Sequence, residues 1–116
     1  MRLYLKVALL AVLLCSSCTD KKQTLESRLD MIETIISSDP HKARNELENI
    51  DRSDIKTKRG KARHSLLYSM ALDKCGIDIC SDSIISPAVE NIPRFNIHDR
   101  TRCLYYYARI FENRKE

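Results

Sequence analysis

Arg63-His64-Ser65-Leu66-Leu67-Tyr68-Ser69-Met70-Ala71-Leu72 aligns without a gap on Arg100-Thr101-Arg102-Cys103-Leu104-Tyr105-Tyr106-Tyr107-Ala108-Arg109, 37 positions further on. Arg, Leu, Tyr and Ala coincide, and in each copy a large residue precedes a small Ala that lets a neighbouring helix come close, as stacked helix pairs require. A period of this length, extended weakly by a first helix that begins about 35 residues before the third, points to repeated helix hairpins. The composition agrees. With Gly only at 60 and 76 and three Pro in 116 residues, turn signals are too few for a sandwich or barrel of short strands. No Gly-rich phosphate-binding loop can be written anywhere in the chain.

Outward from the repeat, the apolar spacing predicts five helices. Leu25, Leu29, Ile32 and Ile36 form one stripe, and Ser37-Ser38-Asp39-Pro40 stops that helix and caps the next. Ala43, Leu47 and Ile50 carry the second helix, and Asp51 to Lys58 reads as a polar connection. Ala62, Leu66, Leu67, Met70 and Ala71 share a side of the third, from Arg59 to Lys74, with Cys75-Gly76 as its stop. Ser81 or Asp82 is expected to cap a fourth helix on Ile84, Ile85, Ala88, Val89 and Ile92, in which Pro87 either makes a kink or delays the start. Asn96 caps a fifth, whose inner residues are expected to be Cys103, Leu104, Tyr107, Ala108 and Phe111.

Residues 1–17 read differently. Arg2 and Lys6 precede an unbroken apolar run from Val7 to Leu14, too short for a helix that must cross a bilayer with roughly 20 residues. This is the pattern of an export signal, and Leu13-Leu14-Cys15-Ser16-Ser17-Cys18-Thr19-Asp20 resembles the lipobox of bacterial lipoproteins. Small residues precede Cys18, whereas Cys15 follows two leucines, so Cys18 is the expected lipidation site and Cys15 the alternative. A thiolate there would accept the diacylglyceryl group, and several acyl chains anchor a domain durably. The expected organisation is a signal peptide over 1–17, a lipidated tether over 18–24 and a helical domain over 25–116. Arg2 and Lys6 leave with the signal, so 20 basic residues become 18 against 16 acidic and the net charge falls from +4 to +2.

Leu104, Tyr107, Ala108 and Phe111 match the spacing of large, large, small and aromatic positions in the first helix of the tetratricopeptide repeat, and Leu67, Met70 and Ala71 match in the preceding copy, with Lys74 in place of the aromatic. Over residues 24–116 the chain thus resembles exported tetratricopeptide proteins and lipoproteins of Gram-negative bacteria. The resemblance implies an all-α fold of antiparallel hairpins, about two and a half of them, stacked as an α-solenoid with a concave surface. It implies a lipid-anchored protein of the cell envelope, on the periplasmic or outer-membrane side, that binds another protein or a peptide. Tyr68, Tyr105 and Tyr106 are the candidate contacts, because aromatic rings with polar tips make good anchors.

Chemistry is sparse. His41, His64 and His98 have no metal-ligand spacing, Cys75 and Cys80 lack a second ligand pair, and no Ser, His and Asp residues are singled out as a triad. No catalysis, metal, cofactor or small-molecule substrate is expected. Cys75 and Cys80 could close a disulfide across the Gly76 turn, with Cys103 as a third thiol, or all three could simply be buried. Two other readings stand beside the scaffold. One is a partial N-terminal piece of a longer envelope regulator. The other is a small basic nucleic-acid-binding protein using Lys56, Lys58, Arg59, Lys61 and Arg63, disfavoured because stacking aromatics are missing from the cluster and an exported protein rarely meets DNA.

Overall fold

A computed structural model describes residues 24–115. Among them 71% of the structure is helical, no strand occurs, and five α-helices follow one another: α1 Leu25–Ile35, α2 Pro40–Glu48, α3 Lys58–Lys74, α4 Ser86–Glu90 and α5 Ile97–Arg114. Short 3-10 turns at Arg52–Asp54 and Ile92–Arg94 lie in the links. None of the described helices is long and apolar enough to cross a membrane.

The starts of α1, α2, α3 and α5 are each fixed by the side chain just before the helix. Thr24, Asp39, Thr57 and Asn96 accept from the amides of Ser27, Lys42, Gly60 and Asp99 at 3.2, 3.1, 3.0 and 2.8 Å, satisfying donors that have no partner inside the helix. The end of α3 is equally well defined. Ile77 N donates to Leu72 O and Gly76 N to Asp73 O, both at 3.0 Å, with Gly76 at φ +79°, a Schellman motif that needs the left-handed residue where glycine stands.

Helix α4 starts later than its stripe predicts. Ser81 and Asp82 do not cap it. The chain makes turns from Asp82 to Ile85, and the helix begins at Ser86 with Pro87 in its first turn. A helix begun at Asp82 would need an amide from Pro87 for the Ser83 carbonyl and would drive the proline ring against it, so the regular helix starts at Ser86, with the proline in its first turn where no amide is needed.

α3 is the hub, in contact with α1, α2, α4 and α5. The first three expected stripes face the core: Leu29, Ile32 and Ile36, then Ala43, Leu47 and Ile50, then Ala62, Leu66, Leu67, Met70 and Ala71 are all buried, and Leu25 packs against them half-buried. Ile55, inside the supposedly polar connection, is buried too. Its methyl would lie 3.2 Å from a Cβ placed on Gly60, and Leu25 of α1 would lie at 3.1 Å, so the glycine allows α1, the link and α3 to converge.

The fifth helix departs from expectation. Cys103 and Ile110 are buried and Tyr106 and Tyr107 pack partly against the core, whereas Leu104 and Ala108 are exposed and Phe111 keeps 48% of its surface. The inward side is therefore the one carrying Cys103, Tyr106 and Ile110. Arg109, on the same side, reaches Asp73 of α3 at 3.2 Å, and Asn113 Nδ2 donates to Ile79 O at 2.9 Å. The 37-residue repeat thus marks helices of similar composition without marking equivalent faces, since Leu67 and Ala71 are fully buried and their counterparts Leu104 and Ala108 are not.

Candidate functional site

Three surfaces can be built from these elements. The first is a charged cleft of about 800 Å³ between α1, α3 and α5. Arg63 reaches down from α3 to Glu26 at 2.8 Å and Asp30 at 2.6 Å on α1, positions one turn apart, while Arg102 of α5 binds Glu33, the next residue of that row, at 2.7 Å, and also Asp99. Such bridging of three helices by two arginines fixes their relative positions more than it adds to stability, since the acids of α1 remain well exposed.

The second is a cavity of about 170 Å³ on another side of α3, lined by His64, Ser65 and Tyr68, by Ile84 from the turn before α4 and Pro87 from its first turn, and by Arg52 and Lys61. Ser65 Oγ donates to Ile84 O, and the His64 ring bonds Leu47 O at 3.0 Å, so its Nε2 carries the proton. Burial holds the His64 pKa below the usual imidazole range, with Arg52 acting the same way and the bond to Leu47 O opposing. Tyr68 O–H donates to Glu48 at 3.0 Å, and Glu48 also binds Arg44 at 2.8 Å.

The third is the outer side of α5. Ile97, Leu104 and Phe111 recur every seven residues with Thr101 and Ala108 between them, and Ile97 is 81% and Leu104 53% exposed. Tyr105, 55% exposed, borders the row, its ring edge-on to Tyr106 at 4.9 Å between centroids. Three large apolar residues aligned on one helix side and left open to water are the least ordinary feature of the described surface.

The structure does not bring Tyr68, Tyr105 and Tyr106 to one surface. Tyr68 lies beside α2 and its hydroxyl is engaged by Glu48; Tyr106 packs inward near Ser69 and Asp73; Tyr105 alone belongs to the outer row of α5. The sequence missed Ile97 as part of this row, although its spacing of seven from Leu104 was available. The basic run is also split. Arg63 is bound by the acids of α1, Lys61 lines the His64 cavity, and Arg59 lines the charged cleft.

Cys75, Cys80 and Cys103 are free thiols. Cys75 caps the end of α3, Cys80 is exposed with its sulfur 3.7 Å from Asn113 O, and Cys103 is buried, which pushes its thiol pKa up to about 11. No cluster of three metal-binding side chains occurs among the described residues. Cys15 and Cys18, with the segment 1–17, lie outside the described residues. The chain matches no protein-family model, no curated protein and no solved structure.

Proposed function

We propose that this chain is a membrane-anchored lipoprotein of the cell envelope that serves as a non-catalytic helical scaffold for binding another protein or a peptide. The observation that carries the docking role is the bare apolar row of α5, on a chain whose α1, α2 and α3 all bury their stripes. Water contact with that row is unfavourable by about 25 cal/mol per Å² of apolar surface, so covering it favours association. The anchor rests on Arg2, Lys6, the Val7–Leu14 run and Cys18. Among the described residues, two helix pairs followed by a fifth helix support a tetratricopeptide-like arrangement, in which the outer side of a helix at the edge presents a ready surface.

One experiment tests both parts. The full chain, carrying a photoreactive residue in place of Leu104, is expressed with a clickable fatty acid in the wild-type, Cys18→Ala and Cys15→Ala backgrounds. Label lost only in Cys18→Ala, with crosslinks confined to the membrane fraction, is the expected result. An unlabelled full-length chain in the cytoplasm, without crosslinks at position 104, overturns the proposal.

A further inference from the structure

What docks on α5 can be narrowed from the row itself and from what surrounds it. From Ile97 to Phe111 the row runs about 21 Å at a rise of about 1.5 Å per residue. Large residues at 97, 104 and 111 alternate with Thr101 and Ala108, spaced by three and four. This is the geometry of one helix seating another, with the small residues forming the holes and the large ones the ridges. A helix face offers no unpaired backbone for an extended peptide to add to as a strand.

The same chain contains a worked example. On α3, Ser65 lies opposite the side from which Arg63 reaches α1, and it is buried beneath the turn that precedes α4, tied to it by the Ser65–Ile84 hydrogen bond. On α5 the apolar row likewise lies away from Arg102, which also reaches α1, yet no element covers it among the described residues.

Charge selects among occupants. Arg100, Arg114 and Lys115 are exposed beside the row; among the described residues Arg100 donates only to the carbonyls of Phe95 and Pro93, Arg114 donates to Cys80 O and lies 5.4 Å over the Phe111 ring, and neither meets an acid. Glu112 is already bound by Arg109 at 3.3 Å. A second copy fits poorly, because an antiparallel pair that seats Leu104 against Ala108 sets Arg100 of each copy beside Arg114 of the other, and like charges oppose that pairing. Building on the scaffold role, we propose that α5 seats one amphipathic helix of another protein, with an apolar stripe of small and aliphatic residues and acidic flanks, laid along Ile97 to Phe111.

The test uses the full chain and two designed 21-residue helices with the same Leu/Ala stripe, one flanked by Glu and the other by Lys, followed by fluorescence anisotropy at low and high salt. The Glu-flanked helix should bind at least about tenfold tighter than the Lys-flanked one, with an advantage that shrinks as salt rises. Leu104→Glu and Ala108→Glu, both at exposed positions that leave the core intact, should each weaken it by about tenfold or more. Equal affinity for the two helices, or unchanged binding in both variants, overturns the proposal. So does self-association that Leu104→Glu abolishes, which assigns the row to a second copy, or Leu104-dependent binding to phosphatidylglycerol vesicles without binding of either helix, which assigns it to a bilayer. Helix binding is read in solution, so its failure leaves the Cys18 labelling result untouched, and failure of labelling leaves helix binding untouched.

Discussion

α3 and α5 are of nearly equal length and share the ten-residue repeat, yet α3 buries ten of its seventeen residues and α5 only two of its eighteen. Their local sequences do not account for this. α3 is flanked by α1, α2, α4 and α5, whereas the backbone of α5 lies close only to α3, α4 and the Ile92–Arg94 turn and reaches α1 through the Arg102 side chain. Burial is set by place in the stack, and a helix at its edge can carry a core-like row that nothing covers. The same edge position supports the docking role proposed for α5, and the central one makes α3 the natural centre of stability.

The largest test of this contrast exchanges leucine for alanine at matched repeat positions. Leu67→Ala should cost about 3 kcal/mol, because a fully buried side chain leaves a cavity, while Leu104→Ala should cost less than about 0.5 kcal/mol. Urea denaturation of the two variants, with unchanged m, measures both. Similar costs would show that α5 is covered as α3 is. A smaller effect is expected at the end of α3, where Gly76→Ala forces a Cβ into the left-handed region and should cost about 1 kcal/mol. No such residue terminates α5, where Lys115 is extended.

Titration sharpens the contrast further. His64 sits within the hub with its pKa lowered by burial, so the folded chain favours the neutral ring more than the unfolded chain does. Stability from this source is complete above the unfolded pKa of about 6.5 and declines as the pH falls below it toward the folded value. Thermal denaturation between pH 7.5 and 5 should therefore show a loss on acidification that His64→Gln reduces. An unchanged pH profile in that variant would mean that the ring is not held neutral in the fold.

Much of α1, α2 and α3 was legible because their apolar residues recur at three and four positions with polar residues between, which leaves one possible inward side. In α5 the run Leu104-Tyr105-Tyr106-Tyr107 is apolar around most of the helix, so periodicity alone permits several inward sides. The side is chosen by distant partners: Glu33 for Arg102, Asp73 for Arg109 and the Ile79 carbonyl for Asn113. None of these pairs has a local signature. Ile55 escaped notice for a similar reason, as a single apolar residue in a charged link becomes a core residue only when Gly60 brings α1 and α3 against it. The apolar row of α5 could be read from spacing, but its exposure could not, because that depends on which elements arrive to cover it.

The smallest expected effect separates two of the candidate contact tyrosines. Tyr68→Phe removes a hydroxyl that donates to Glu48, and Tyr105→Phe removes one on the open row. The bonds from Arg44 and then from Tyr68 hold the Glu48 carboxyl below its ordinary pKa. A carboxylate with a lowered folded pKa contributes stability above its unfolded value and loses it as acid protonates it. Tyr68→Phe should thus lower the melting temperature slightly at pH 7, by an amount that shrinks on acidification as Glu48 takes up its proton, and Tyr105→Phe should leave it unchanged throughout. If instead Tyr105→Phe alone lowers it, the Tyr105 hydroxyl has a partner within the fold, and the outer side of α5 is already occupied by the chain itself.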